Sequence, residues 1–182
     1  MLKTLFSAIL ITLALTTPSS SQSVGVDFKN MPVGTKIFFE ASYGDTWVST
    51  FKGKKGKNYV VSVDVKKAGR SYRGTQRYTL DGHMQRWNNG GGYTEKWRPH
   101  SCVRVLGACS HKWTDSNGRG TSWVSENKLV GNKLTRSSRP KREADMQITQ
   151  HILGKYNLSM RQDWSTRRGE KRWIKIVKIV EP

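Results

Sequence analysis

The feature that most constrains this chain is a two-residue alternation running through short stretches, each closed by a turn signal. Tyr59, Val61, Val63 and Val65 alternate with Val60, Ser62 and Asp64. Tyr72, Gly74, Gln76, Tyr78 and Leu80 alternate with Ser71, Arg73, Thr75, Arg77 and Thr79, and Tyr156, Leu158, Met160, Gln162 and Trp164 with Asn157, Ser159, Arg161 and Asp163. An extended strand sends successive side chains to opposite faces, so each stretch reads as a strand with one buried and one wet side. Glycine- and Asn/Asp-rich turns separate them, at Tyr43-Gly44-Asp45, Gly53 to Gly56, Lys67 to Arg70, Asp81-Gly82, Asn88 to Gly92 and Asp115 to Gly120. Crossover helices are missing from the pattern, which excludes parallel βαβ units. The expected fold is all-β: an antiparallel meander of about ten strands closing into a barrel or a two-sheet sandwich.

Three stretches read less simply. From Trp173 to Val180 the alternation changes phase, which a β-bulge near Ile176 or a strand buried on both faces would reconcile. Residues 144–153 fit a strand through Met146, Ile148 and Ile152, and also a helical stripe of Ala144, Ile148 and Ile152 stopped by Gly154; Thr149 and the neighbouring hairpin patterns favour the strand. Gly131 to Arg142 carries Lys133, Arg136, Arg139, Lys141 and Arg142 with almost nothing apolar, and reads as a long exposed loop, open to proteases or serving as a basic finger.

The N-terminus predicts the compartment. Lys3 precedes an uncharged apolar run, Leu5 to Leu15, and small polar residues follow to Ser21. This is the layout of a secretory signal peptide over residues 1–21, cut before Gln22, with a run too short for a comfortable membrane span. Beyond it no apolar stretch is long enough to cross a bilayer. A single secreted or periplasmic β-domain over residues 22–182 is expected. The chain has 32 Lys and Arg against 13 Asp and Glu, a net charge of +19, and loss of the leader removes only Lys3. Such an imbalance attracts polyanions and anionic surfaces.

Two constellations could carry chemistry. His100-Ser101-Cys102 mirrors Cys109-Ser110-His111. Across a hairpin turning at Val105 to Gly107, all four side chains would share a face, as a Cys₂His₂ metal site or as a disulfide flanked by structural histidines. The H-x-C spacing is unusual for zinc, and an exported chain meets an oxidising compartment, so a Cys102–Cys109 disulfide with no metal is the favoured reading. The second constellation is aromatic. Trp87 and Trp97, Trp113 and Trp123, and Trp164 and Trp173 bracket turns, and the first two pairs look like a hairpin duplicated at an offset of 26 residues. Each pair is expected nearly opposite across its hairpin, either packed in the core or, beside Arg86, Lys96, Arg98 and Lys112, forming a platform for sugar rings or bases.

Catalysis has little support in the residues. The acids are scattered; Glu95 with Glu126, or Asp81 with Asp115, could meet, but no spacing selects them, and no nucleophile elbow, metal-binding helix or phosphate loop is present. No catalytic residue, metal or cofactor is expected. The leading expectation is a non-catalytic binding protein for an anionic envelope or extracellular component: an anionic polymer such as a polyanionic glycan or nucleic acid, or an anionic, lipid A-like membrane surface. Its candidate ligand residues are Arg73, Arg77, Arg86, Trp87, Lys96, Trp97, Arg98, Trp113, Trp123, Arg136, Arg139, Lys141 and Arg142. A secreted hydrolase of a polyanionic polymer and a structural or assembly partner in the cell envelope are the alternatives.

Overall fold

A computed structural model describes residues 22–67, 70–140, 147–165, 169 and 171–182. The leader region, Lys141, Arg142, Ala144 and Met146 lie outside the described residues. The strands are β1 (Lys36–Ala41), β2 (Thr46–Lys55), β3 (Asn58–Lys67), β4 (Arg70–Tyr78), β5 (Met84–Asn88), β6 (Thr94–Arg98), β7 (Gly107–Asp115), β8 (Gly120–Val130), β9 (Lys133–Pro140), β10 (Gln147–Leu153), β11 (Ser159–Ser165) and β12 (Lys171–Val180). Each pairs antiparallel with its neighbours in sequence, and β1 pairs with β12 to close a twelve-stranded barrel. Closure removes the sheet edges on which other chains could template.

The fold class is therefore the expected one, in its barrel form and with twelve strands in place of about ten. The largest correction is at residues 133–140, which form β9 and not an exposed loop. Its inward positions are Leu134, Arg136 and Ser138, so only one apolar residue marks its buried face. The strand reading of residues 147–153 holds, but its phase is reversed. Thr149, His151 and Leu153 are buried, whereas Ile148 is exposed. The bulge near Ile176 is present: Phe38 faces Lys178 and Phe39 faces Ile176, so Val177 is skipped and exposed. That one extra residue keeps Ile174, Ile176 and Ile179 on one face despite the phase change.

The two ends of the barrel differ. Residues 22–35 lie across the end where β1 begins. Val24 N–H donates to Arg104 O, Val26 N–H to Gly82 O and Asp27 N–H to Tyr156 O. Phe28 inserts among Phe51, Tyr59 and Tyr78 at ring distances of 5.1, 5.3 and 4.8 Å, with Val26, Met31, Ile37, Val61, Val63 and Leu158 around it. Gly25 permits this seating, because a Cβ there would stand 1.7 Å from Asp81 O. The Arg104 guanidinium, pushed down to about 10 by burial with a partial counter-effect from Tyr78, donates to Val24 O, Asn157 O and Ser159 Oγ. It ties the N-terminal segment to β11.

The apolar core is confined to this end and to the β1–β4 side. Around β7–β11 the interior mixes polar and apolar groups: Ser125, Asn127, Ser138, Thr149, His111 and His151 are buried alongside Leu134 and Leu153, and Trp113 and Trp123 line a cavity. On the outside of β4 to β7, Arg77, Arg86, Lys96, Arg98 and Lys112 stand in rows across the wall.

Candidate functional site

The barrel wall sorts the candidate ligand residues into two sets on opposite faces. On the outer face, Arg77 of β4 stands directly opposite Arg86 of β5, and Arg86 directly opposite Lys96 of β6. Arg98, next along β6 on the same face, is opposite Lys112 of β7. Neighbouring strands are about 5 Å apart, so five cations form two adjoining rows. The outward positions of β4 to β7 carry no carboxylate to offset them; their other residues are Ser71, Arg73, Thr75, Asn88, Thr94, Ala108, Ser110 and Thr114. A shallow recess of about 280 Å³ runs between Thr75, Arg77, Arg86 and Asn88.

Arg73 belongs to the same face but is neutralised, its Nε donating to Asp64 Oδ1 at 2.7 Å. Arg139 is exposed on β9 opposite Val124, apart from the rows. Lys112, named in the sequence beside Trp113 but not among the candidate ligand residues, completes the second row through its register with Arg98.

The four candidate tryptophans, Trp87, Trp97, Trp113 and Trp123, take the inner face. The expected hairpin pairs are displaced: Trp87 faces Glu95, Trp97 faces Trp113 across β6 and β7, and Trp123 faces His111. Trp164 faces Arg172 and Trp173 faces Asp163, with Trp173 outside between Arg161 and Lys175 at 5.6 and 5.1 Å. Turn lengths shift the first two registers by two residues and the third by one, so equal spacing in sequence does not become opposition in space, and the odd shift sends Trp173 to the other face. Trp97, Trp113 and Trp123 wall a cavity of about 440 Å³ that extends from Met84 and Val103 up to Thr121 and Gln147.

Arg136 enters this cavity from β9, between Asn127 of β8 and Thr149 of β10. Burial pushes its guanidinium down to about 10. Its Nη2 reaches Ser138 Oγ at 3.4 Å, and its Nε has no partner among the described residues. His111 and His151 flank it. Burial pushes His111 down to about 4, with Arg136 and His100 adding to the effect, and His151 to about 3, with Arg104 and Arg136 adding. Both are neutral imidazoles near pH 7. His111 Nδ1 and His151 Nε2 are buried without partners among the described residues.

The Cys102–Cys109 disulfide is formed, with a Cα separation of 5.8 Å. The imagined hairpin is not. Cys102 sits in a 3-10 turn (Cys102–Arg104) ahead of β7, held where Asn127 Nδ2 donates to Cys102 O and Val105 O. His100 therefore does not mirror His111, and stacks on His83 at 4.4 Å. Among the described residues no group of three His, Cys, Asp or Glu side chains gathers at metal-binding distance.

Of the acids weighed for hydrolysis, Glu95 meets Asp115 and not Glu126. Burial acts to raise Asp115, but hydrogen bonds from Arg119 and the Asn117 backbone outweigh it and lower its pKa, while Glu95 accepts from Tyr93 Oη at 2.9 Å. An ionised carboxylate locked into its own turn makes a turn brace, not a general acid. Comparison of the chain with protein-family models, curated proteins and solved structures found no match.

Proposed function

We propose that this chain is an exported, non-catalytic binding protein that engages an anionic polymer or an anionic envelope surface through the outer face of β4 to β7. One observation carries the reading: Arg77, Arg86 and Lys96 are stacked directly opposite one another over three strands, with Arg98 opposite Lys112 alongside. Like charges facing each other across strands destabilise a sheet, and an anion laid along the rows turns that repulsion into attraction. The surplus of Lys and Arg over the whole chain favours encounter with such a partner, and the leader-like N-terminus supports its meeting that partner outside the cytoplasm.

The test is binding to a sulfated glycan and to anionic lipid vesicles over a range of salt, with two triple variants of equal charge change. Arg77→Gln/Arg86→Gln/Lys96→Gln removes the first row, and Lys52→Gln/Lys54→Gln/Lys57→Gln removes exposed charge elsewhere. The row variant is expected to lower the slope of log affinity against log salt by about two to three, and the control to leave most of it. Equal losses in the two variants, or no polyanion binding by the parent, would refute the assignment.

A further inference from the structure

We propose that the cavity inside the barrel is a second binding site, built for a small organic carboxylate whose acid group pairs with Arg136 and whose apolar body lies against Trp97, Trp113 and Trp123. This inference rests on the inner face of the wall and stands or falls separately from the outer rows.

A guanidinium held inside a barrel is accompanied, as a rule, by a carboxylate or a full set of acceptors, because burying an unpaired charge is costly. Arg104 obeys this rule, donating to Val24 O, Asn157 O and Ser159 Oγ. Arg136 does not. Among the described residues its one partner is a serine hydroxyl at 3.4 Å, its Nε is buried and unpartnered, and no Asp or Glu lines the cavity. His111 and His151, each with one buried nitrogen unpartnered among the described residues, line the same space from β7 and β10. A neutral imidazole carries one N–H, which can be placed on either nitrogen, so each ring can donate to an anion without adding charge. One fixed positive charge flanked by neutral donors matches a single negative charge, and a planar guanidinium matches a planar carboxylate.

The remainder of the wall selects the body of the ligand. Three indoles, Met84 and Val103 supply an apolar, polarizable lining. At about 30 Å³ for the volume of one water, 440 Å³ accommodates roughly fifteen non-hydrogen atoms, the size of a small organic acid. The cavity also falls within the size range of small-molecule sites, where a few placed polar groups in an apolar lining fix orientation.

The experiment titrates the protein near neutral pH with octanoate, octan-1-ol and octylamine, following tryptophan emission and calorimetry, and repeats octanoate with longer carboxylates. Octanoate is expected to bind once per chain, at least about tenfold more tightly than the alcohol, with the amine weaker still. Affinity should rise toward dodecanoate and fall for hexadecanoate. Arg136→Met should bring octanoate down to the level of octanol, and Thr121→Trp, which fills the upper cavity without touching Arg136, should weaken both. The outer-row variant Arg77→Gln/Arg86→Gln/Lys96→Gln should bind octanoate as the parent does, which separates this site from the proposed polyanion surface. Equal affinity for octanoate and octanol in the parent overturns the proposal even if Arg136→Met fails to fold. So does unchanged selectivity in a folded Arg136→Met.

Discussion

Acidification should destabilise this barrel well before its carboxylates titrate, because three histidines are buried in neutral form. His83, His111 and His151 are 4, 8 and 3% exposed. Burial pushes His83 down to about 4, with His100 and Arg104 adding to it and Asp81 opposing; His111 falls to about 4 and His151 to about 3 for the reasons given above. In an unfolded chain each titrates near 6.5. The folded state thus binds fewer protons, so stability is complete above roughly pH 7 and declines as pH falls below about 6.5. At pH 5 the unfolded chain has taken up nearly all three protons and the folded chain almost none. Each histidine then costs about 2 kcal/mol, and the three together about 6 kcal/mol. Domains of this size carry about 5–15 kcal/mol in total. Urea unfolding followed by tryptophan emission at pH 8 and pH 5, at constant ionic strength, measures the difference. His151→Gln should reduce the pH-dependent part by about a third whatever it does to stability at pH 8. A change below about 1 kcal/mol between the two pH values would show that these rings are not buried as described.

Three further predictions follow from the packing. Phe28→Ala removes the ring that Phe51, Tyr59 and Tyr78 enclose and should cost about 3–5 kcal/mol in urea denaturation. Replacing Cys102 and Cys109 by serine opens a short loop with a separation of 7 residues and should cost about 2–3 kcal/mol, read from the same curves with and without reductant. Deleting Val177 removes the bulged residue and leaves Ile174, Ile176 and Ile179 in regular alternation, so the barrel should persist within about 1 kcal/mol by thermal melting, whereas deleting Ile174 turns Lys175 inward and should prevent folding.

Strand and turn were legible in the sequence where the interior is apolar. Tyr59 to Val65 and Tyr72 to Tyr78 display their inward residues by chemistry alone, and the broken phase at Ile176 pointed to its bulge. The interior beside β9 and β10 is mostly polar, and there the signal fails. Lys133 to Pro140 alternates between two polar faces, and in β10 the histidine and threonine point in while Ile148 points out. Hydrophobic periodicity reads burial only where burial selects for apolar side chains. The candidate site was half visible for a related reason. Trp97, Trp113, Trp123 and Arg136 were singled out by type, but their convergence depends on register, which turn length and bulges set. The stacked row of Arg77, Arg86 and Lys96 is likewise a product of register, invisible to spacing.

The strap formed by residues 22–35 imposes an order on biogenesis. Its backbone partners include Gly82, Arg104, Leu106 and Tyr156, and Asn157 Nδ2 donates to Gly25 O from 132 residues away. The part of the domain that leaves the ribosome first must therefore wait for nearly the last hairpin before it can seat. Until then the pocket that receives Phe28 gapes, which is when a chaperone would find its grip.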